Sequence, residues 1–379
     1  MSSYWLDERS APLPAGRAED GVDVAVVGAG VTGCSCALAL ARAGVSVRVH
    51  DARTVAAGAS GRNGGFALRG GAPAYDRARA GIGRERARQL WLLTERTLDR
   101  IEELAGDSFR RTGSLRLAGT EAEGEELRAE YESLREDGFA AEWLEDLPRP
   151  LAGRFPAAIR HPRDGAVHPA RWVRRLAALA GEAGARFAER SRVESLDELR
   201  AEAVVVALDG WTSELVPELA RAVWPTRGQV LATEPLPERL FDCPMYARGG
   251  YDYWQQTEDR RLVVGGFRDR AEKTEYTAEE ETTPFIQAQI EQFVTELLGH
   301  LPRITHRWAG IFGMSADRYP LVGRVPGREH VWVAGGYSGH GNVLGFACGE
   351  LVAGALLDEQ AWPGLDLFDP ARFVLDGFL

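Results

Sequence analysis

The 379-residue chain predicts an α/β fold, in which a mainly parallel sheet is built from separated segments and an antiparallel-sheet α+β domain is inserted between them. Three observations support this. An apolar run, a glycine-rich turn, a helix pattern and a second apolar run follow one another from Val22 to Asp51. Residues 251–267 have the pattern of a hairpin that turns near Glu258. Further strand and helix patterns alternate along the chain.

The first of these segments is typical of a Rossmann-like dinucleotide site. Its turn has the sequence Gly28-Ala29-Gly30-Val31-Thr32-Gly33. The first glycine permits a tight turn, the second permits close approach of a pyrophosphate, and the third permits close packing of helix on strand. The helix N-terminus offers free N–H groups to phosphate. Asp51 ends the second strand, where a carboxylate can bind the ribose hydroxyls of adenosine.

A second glycine-rich stretch, residues 56–71, follows closely and contains Ser60, Arg62 and Asn63. An enzyme that binds a nicotinamide cofactor would usually begin another helix here. A glycine-rich loop can instead wrap a second phosphate and the edge of a flavin, with its backbone N–H groups forming an anion-binding nest. We therefore expect the glycines at 58, 61, 64 and 65 to let the backbone pass close to the cofactor, while Arg62 and Asn63 orient it.

Helix and strand patterns fill the remainder of the chain. Residues 81–106, 121–137 and 284–301 have apolar residues near helical spacing, and residues 113–119 have the pattern of a short strand. We predict an N-terminal arm at residues 1–20. The cofactor domain is predicted at residues 21–85, 150–222 and 305–379, and the inserted substrate domain at residues 86–149 and 223–304.

Composition excludes several classes of partner. The chain is 45% hydrophobic and 27% charged, and its net charge of −11 disfavours nucleic acid and anionic membrane surfaces. Its start is polar and acidic, and the apolar stretch 22–49 is interrupted by glycine and arginine, so we expect neither a signal sequence nor a membrane span. Four cysteines have no disulfide or zinc spacing. These features predict a cytoplasmic protein without a metal site and leave the oligomeric state open.

The sequence resembles a known family in several segments. "VAVVGAGVTGCSCALALARAGVSVRVHDARTVAAGASGRNGG" is similar to the N-terminus of the FAD-dependent D-amino-acid oxidase superfamily. Within it, "GASGRNGG" resembles the branch of gamma-glutamylputrescine oxidases and glycine or sarcosine oxidase-like enzymes. "VVVALDGWTSEL", "RLVVGGFRD", "RWAGIFGMSADRYPLVGRV" and "VWVAGGYSGHGNVLGFACGELVAGAL" resemble later segments in the family's order. The resemblance thus spans most of the chain.

This resemblance implies a set of residues that bind FAD. A glycine-rich loop before the last long helix is expected near the flavin N1–C2=O edge, where His340 would either contact the ring or cap the helix. The predicted cofactor-binding residues are Gly28, Ala29, Gly30, Val31, Thr32, Gly33, Asp51, Ala52, Arg53, Ser60, Gly61, Arg62, Asn63, Gly64, Gly65, Val193, Gly310, Gly336, Tyr337, Ser338, Gly339, His340, Gly341 and Asn342.

Three departures from the family's patterns are informative. Met314 stands where some members attach the flavin through cysteine, which implies noncovalent FAD. Phe312 stands where several amino-acid oxidases have a carboxylate-binding arginine, which favours amines without an α-carboxylate. Val263 stands where sarcosine oxidases have an oxygen-activating lysine, which weakens the expectation that O2 is the acceptor.

Candidate substrate-pocket residues are Tyr251, Tyr253, Trp254, Phe312 and His340. The hairpin aromatics either pack the sheet or form a wall that receives an amine. No side chain is assigned as a catalytic base.

The resemblance implies an FAD-dependent amine oxidoreductase. It would oxidise a CH–NH bond of a small-molecule amine to an imine that hydrolyses to a carbonyl product, with O2 as the expected acceptor and H2O2 as its product. One alternative is an oxidase or dehydrogenase of α-amino or N-methyl amino acids, with Arg248, Arg268 or Arg318 binding the carboxylate. A second alternative is a flavin-binding protein without catalytic turnover.

Overall fold

The computed structural model describes residues 3–9, 11–15, 21–357 and 365–375, so the predicted arm at residues 1–20 lies partly outside the described residues. Within them the strands are β1 (Val22–Val27), β2 (Val47–His50), β3 (Phe66–Ala67), β4 (Phe109–Arg110), β5 (Ser114–Leu117), β6 (Glu142–Leu144), β7 (Ala158–His161), β8 (Gly165–Val167), β9 (Arg186–Ala188), β10 (Ala201–Val206), β11 (Val223–Pro235), β12 (Met245–Ala247), β13 (Asp252–Gln256), β14 (Arg261–Gly266), β15 (Ile304–Ser315), β16 (Leu321–Arg324) and β17 (Val331–Gly335).

The α-helices of the same residues are α1 (Val31–Arg42), α2 (Tyr75–Ile82), α3 (Arg84–Ala105), α4 (Glu121–Glu136), α5 (Pro169–Glu182), α6 (Glu272–Glu275), α7 (Pro284–Leu298), α8 (Gly341–Leu356) and α9 (Arg372–Leu375). The strand–helix–strand segment, the helices α4 and α7 and the hairpin β13–β14 confirm the sequence predictions. The helix pattern over residues 81–106 is interrupted, because Gly83 has φ of 87° and separates α2 from α3. No helix in the described part is long and apolar enough to span a bilayer.

The first sheet has six strands in the order β16-β17-β10-β1-β2-β9. All neighbours pair in parallel except β16 and β17. Buried valines fill β1 and β10, as expected for parallel strands covered on both faces. Helix α1 packs closely against α8, since a Cβ added at Gly349 would lie 2.4 Å from the Thr32 carbonyl oxygen. This α/β layer is the predicted Rossmann-like unit.

The second sheet has eight strands in the order β15-β11-β14-β13-β12-β5-β7-β6, and every pair is antiparallel except β12 with β5. One face packs under α7 around the buried Trp254, Val264 and Leu231. A small third sheet, β3-β8-β4, joins the loop after β2 to the segment before α5. Strands β7 and β15 belong to the eight-stranded sheet, and the domain boundaries given above stay a prediction.

Candidate active site

A large cavity, with a volume of about 640 Å³, opens at the carboxyl ends of β1, β2 and β10. In the first sheet β2 lies on one side of β1 and β10 on the other, and α/β proteins commonly bind ligands at such a reversal of strand order. Val27, Asp51 and Ala207 line this end. The cavity continues to the face of the eight-stranded sheet that carries Tyr246 and Tyr253. It therefore joins the predicted dinucleotide site to the inserted sheet.

Most of the predicted cofactor-binding residues come together in the cavity wall. They are Gly28, Gly30, Val31, Thr32, Asp51, Ala52, Arg53, Ser60, Arg62, Asn63, Gly64, Val193, Gly310, Tyr337, Ser338, Gly339, His340, Gly341 and Asn342. Ala29, Gly33, Gly61, Gly65 and Gly336 stand outside the lining. Their contact with the cofactor stays a prediction.

The β1–α1 turn requires glycine for packing within the protein. Gly28 has φ of 108°, and a Cβ there would lie 2.4 Å from the Ala207 carbonyl oxygen. A Cβ at Gly33 would lie 1.9 Å from the Gly28 carbonyl oxygen. The first N–H of α1, that of Val31, donates to Ser60 Oγ at 3.0 Å. The second glycine-rich stretch therefore packs directly against the start of this helix.

Asp51 organises the backbone beside the turn. Its two carboxylate oxygens accept hydrogen bonds from the N–H groups of Ala29 (2.8 Å) and Arg53 (2.7 Å). Burial raises the pKa of Asp51, and these two backbone hydrogen bonds oppose that effect. A carboxylate has about four acceptor positions, so each oxygen keeps capacity for a ribose hydroxyl.

Side chains from other segments bind the carbonyl groups of the loop between Gly58 and Phe66. Four successive residues each have their carbonyl oxygen bound by a side chain from a distant segment. The pairs are Gly61 with Ser3 (2.8 Å), Arg62 with Trp308 (2.7 Å), Asn63 with Trp5 (2.8 Å) and Gly64 with Gln255 (2.5 Å).

Because these carbonyls point away from the cavity, the adjoining N–H groups are free to face it. The N–H groups of Asn63 and Gly64 form no hydrogen bond with another described residue, and both residues line the cavity. They fit the predicted nest for an anionic or carbonyl group. Gln255, Trp308, Trp5 and Ser3 were missed by the sequence analysis, since nothing in their local sequence relates them to this loop.

Three glycines of the loop are also required for packing within the protein. A Cβ at Gly61 would lie 2.1 Å from the Ala56 carbonyl oxygen, and one at Gly65 would lie 2.2 Å from Gln255 Nε2. A Cβ at Gly64 would lie 2.8 Å from the Tyr253 ring. These positions need glycine because protein atoms crowd them. That these glycines also let the backbone pass close to the cofactor stays a prediction.

Arg62 and Asn63 fix the loop to other segments. Arg62 Nε donates to the Ala57 carbonyl oxygen at 2.8 Å. The Asn63 side chain exchanges hydrogen bonds with the side chain of Asn342, at 3.0 Å in each direction. Asn342 lies in the first turn of α8, so this pair connects the two glycine-rich segments that line the cavity.

Asp209 is a functional candidate that the sequence analysis missed. One carboxylate oxygen accepts from the Gly336 N–H at 2.8 Å and from the Tyr337 N–H at 3.5 Å. The other accepts from the Gly313 N–H at 2.8 Å. Burial raises the pKa of Asp209, against the effect of these backbone donors. The available signal was an aspartate directly after the apolar strand β10, within "VVVALDGW".

His340 precedes α8 and lines the cavity without capping the helix through its side chain. Its Nδ1 is buried and has no hydrogen-bond partner among the described residues. Burial lowers the pKa of His340 to about 4. The ring is therefore uncharged at neutral pH and leaves one nitrogen available to a ligand.

The predicted aromatic pocket is only partly assembled. Tyr253 and Phe312 line the cavity, whereas Tyr251 and Trp254 do not. Trp254 is a correction, because successive strand residues face opposite sides of a sheet and Trp254 is fully buried under α7. Tyr246, opposite Tyr253 on β12, faces the cavity instead.

Arg268 supplies a cation to this pocket. Its guanidinium carbon lies 4.6 Å from the Tyr251 ring centre and 5.4 Å from that of Phe312. It lines the cavity and forms no ion pair with any residue in the described ranges. Arg248 is already paired with Asp252 and Asp269 at 2.6 and 2.8 Å. The Arg318 side chain is outside the lining and lies 3.9 Å from the Met314 sulfur.

The residues present fit FAD. The turn at Gly28 leaves bare backbone at a helix N-terminus, Asp51 lies beside it, and a continuous cavity leads to unpartnered N–H groups at Asn63 and Gly64. The buried, unpartnered Nδ1 of His340 supplies a further polar atom. This order of donors suits an elongated ligand with a diphosphate in the middle and a polar heterocycle at one end.

Comparison with known proteins identifies the family of the chain. Residues 23–355 match the family model described as FAD dependent oxidoreductase. A probable oxidoreductase OrdL of Rhizobium meliloti is 30% identical over 89% of this chain and 83% of its own length. Gamma-glutamylputrescine oxidoreductase of Escherichia coli is 29% identical over 93% of this chain and 88% of its own length.

Solved structures share the fold. The crystal structure of glycine oxidase from Geobacillus kaustophilus has a TM-score of 0.78 at 23% identity, covering 93% of this chain and 98% of that one. L-proline dehydrogenase from P. horikoshii has a TM-score of 0.77 at 21% identity, covering 96% and 99%. The match over residues 23–355 extends from β1 into α8, and the chain belongs to the family of FAD-dependent oxidoreductases typified by D-amino-acid oxidase.

Proposed function

We propose that this oxidoreductase oxidises the CH–NH bond of a small amine or amino acid to an imine, which water hydrolyses to a carbonyl product. The observation that carries the proposal is the continuous cavity that joins the β1–α1 turn to an aromatic pocket containing Arg268. Gamma-glutamylputrescine oxidoreductase and glycine oxidase, two relatives of the chain, have names that refer to substrates of this class.

FAD would be held along the residues described above. The N-terminus of α1 and the loop N–H groups of Asn63 and Gly64 would receive its phosphates and ring edge, and Asp51 its ribose. Bound FAD would supply two-electron oxidation by accepting hydride from the substrate carbon. The protein's own contribution is to position that carbon and to exclude water.

Several side chains would prepare the substrate. Tyr253 and Phe312 offer apolar ring faces, and removal of water beside them favours the uncharged amine. His340 is uncharged and can exchange a hydrogen bond with the ligand. With a neutral amine, no separate base is needed before the CH–NH bond is oxidised.

We further propose that FAD is bound without a covalent bond. None of the four cysteines lies in the cavity wall, and Met314 is buried outside it. Acid precipitation of the purified holoenzyme should release all yellow colour into the supernatant. Flavin that stays with the pellet would contradict this proposal.

The second candidate is an amino-acid substrate, and Arg268 favours it. A guanidinium binds a carboxylate through two parallel hydrogen bonds. Arg268 lies against Phe312, the residue whose identity favoured amines without an α-carboxylate in the sequence. We therefore favour a substrate with a carboxylate beside the reacting carbon.

Anaerobic bleaching of the flavin absorbance tests both candidates. Each amine should be compared with its α-carboxylated analogue across several chain lengths. Bleaching by at least one member establishes amine oxidation, and faster bleaching by the carboxylated members supports the Arg268 assignment. A flavin that no amine or amino acid bleaches would contradict the proposed function.

O2 is the proposed acceptor, with H2O2 as product. Among the described residues, the cavity wall contains no lysine that could activate oxygen. The chain's single lysine, Lys273, lies in α6 outside that wall, and Val263 is buried in the sheet. An oxygen electrode decides the question: consumption of O2 in step with amine oxidation supports an oxidase. Turnover with an artificial electron acceptor but not with O2 would identify a dehydrogenase.

A further inference from the structure

The cavity includes a chamber that is lined by polar side chains and extends two strands along the sheet from Tyr253. Tyr253 on β13 lies directly opposite Tyr246 on β12, and Tyr246 lies opposite Arg116 on β5. Residues paired in this way share one face of a sheet. Neighbouring strands are about 4.8 Å apart, so Arg116 begins about 10 Å from Tyr253 along the sheet. Tyr253 itself packs against Gly64 in the loop proposed to hold the cofactor.

His161 lies in the wall of the same chamber. It is paired with Ser114, which shares the cavity-facing side of β5 with Arg116. His161 Nδ1 lies 3.1 Å from Arg69 Nη2, and an arginine only donates hydrogen bonds. Nδ1 must therefore accept, which places the ring proton on Nε2. The side chain is 5% exposed, and Nε2 has no partner in the described part of the chain.

Further donors in the chamber lack partners within the described residues, and the buried Nε of Arg69 is one of them. Arg116 binds Glu130 through Nη1, whereas its Nε is buried without a hydrogen-bond partner among the residues described. The Tyr246 hydroxyl forms no hydrogen bond with any of them. Burial raises the pKa of Tyr246, so this hydroxyl remains protonated at neutral pH.

The acidic groups of the chamber already accept hydrogen bonds from other side chains or backbone N–H groups. Glu130 is paired with Arg116, and Asp164 accepts from Ser114 Oγ at 2.6 Å and from the Arg69 N–H at 2.9 Å. The chamber therefore contains several donors without an acceptor in the described part of the chain, among them the His161 Nε2–H, the Arg116 Nε–H and the Tyr246 hydroxyl. An acceptor oxygen would satisfy these donors, whereas an ammonium group only donates hydrogen bonds and could not.

We infer that Arg116, His161 and Tyr246 form a distal substrate subsite that binds a carboxyl or carboxamide oxygen at the end of the substrate remote from the reacting amine. The inference rests on the proposed function for the location of that amine. It implies an elongated substrate with an acceptor group at its far end, rather than a simple alkyl amine.

The test uses 6-aminohexanamide and 6-aminohexanoate, with hexylamine as the matched probe that lacks the distal oxygen. The increase in melting temperature of the oxidised holoenzyme, measured over a concentration series, gives the dissociation constant of each probe without requiring turnover. We expect the amide or the acid to bind about tenfold more tightly than hexylamine, as one additional hydrogen bond predicts.

Two substitutions of His161 distinguish the contributions of its two ring nitrogens. An asparagine amide overlaps the position of Nδ1, and a glutamine amide overlaps that of Nε2. His161→Asn should keep the contact to Arg69 and lose the preference for the distal oxygen, so that the affinity ratio approaches one. His161→Gln should keep the ratio, and so should His300→Asn, which changes an exposed histidine.

The outcomes distinguish the subsite from the function. Equal dissociation constants for all three probes in the unmodified holoenzyme would overturn the subsite, whether or not the flavin is bleached. An affinity ratio that survives in His161→Asn would also overturn it. Failure of every amine to bleach the flavin, with the affinity ratio intact, would overturn the proposed function alone.

Discussion

At the scale of single residues, Asp209 connects the end of β10 to β15 and to the loop before α8. Its carboxylate accepts from three backbone N–H groups, and its own backbone has φ of 49°. Such an arrangement keeps two cavity-lining segments in register. The residue therefore influences ligand binding through the backbone that it positions.

Replacement of Asp209 by alanine should destabilise the protein and reduce its flavin content. Three buried N–H groups lose their acceptor, which costs about 3–9 kcal/mol at about 1–3 kcal/mol per unsatisfied group. Denaturant unfolding and the ratio of flavin to protein absorbance measure the two effects. Asp209→Asn, which keeps one acceptor oxygen, should fall between wild type and alanine. Wild-type stability in Asp209→Ala would show that these contacts contribute little.

Arg268 is the residue on which the choice between amines and amino acids depends. We expect Arg268→Met to lower kcat/KM for an α-carboxylated substrate about 100-fold, because two charge-assisted hydrogen bonds are lost. The corresponding amine should change far less. Arg268→Lys keeps the charge without the fork and should retain part of the effect. Equal losses for both members of a pair would show that Arg268 shapes the pocket without binding carboxylate.

At the scale of elements, the loop 58–65 and strand β13 fit together through Tyr253. The ring occupies the space beside Gly64 on one side and beside Gly265 on the other. The position of the loop and the position of the eight-stranded sheet are therefore coupled by the side chain of Tyr253.

This contact predicts a rescue. Gly64→Ala should lose most of the flavin, because its Cβ would lie 2.8 Å from the Tyr253 ring and displace the loop. The double variant Gly64→Ala with Tyr253→Ala should regain flavin content, since it removes the colliding ring. Flavin content in the purified proteins measures both. A double variant as empty as the single one would mean that the added methyl group obstructs the cofactor itself.

The strand–helix–strand segment was predictable because its information is local. Gly33 and Asp51 act on neighbours within the same β-α-β unit, although the close contact at Gly28 is with Ala207 after β10. The hairpin was predictable as well, although its alternating pattern does not state which face is buried. Tyr253 and Trp254 were treated alike in the sequence, and only the packing of α7 decides that Trp254 belongs to the core.

At the scale of the whole molecule, the cavity could be predicted only at one end. Its dinucleotide end comes from contiguous motifs, whereas the chamber combines Arg116, His161 and Tyr246 from three strands distant in sequence. No local spacing relates these residues. Arg268 was one of three arginines that the sequence offered as carboxylate-binding residues. The structure favours it because Arg248 is already engaged in ion pairs.

The buried chamber also affects the pH dependence of global stability. Burial raises the pKa of Asp164 from its ordinary value of 3.8 to about 6, against the opposing effects of Arg69 and Ser114. The folded state thus binds this proton more tightly than the unfolded state does. The free energy of unfolding should fall as pH rises through this interval, by at most about 3 kcal/mol from this group.

Asp164→Asn isolates this contribution. Its amide keeps an acceptor for the Arg69 N–H and cannot titrate, so the variant should gain stability relative to wild type as pH rises from 4 to 6. Above pH 6 the difference should become constant. Denaturant midpoints measured for both proteins at each pH provide the comparison. A difference that does not change with pH would show that Asp164 titrates normally.

The carbonyl contacts of Ser3 and Trp5 to the loop 58–65 have a practical consequence for recombinant work. An affinity tag fused ahead of residue 1 ends three positions before Ser3, whose side chain binds the carbonyl oxygen of Gly61. Tag position therefore becomes a variable in every measurement of flavin content. Preparations with a cleavable N-terminal tag, compared before and after cleavage, would report on the docking of this segment through their colour alone.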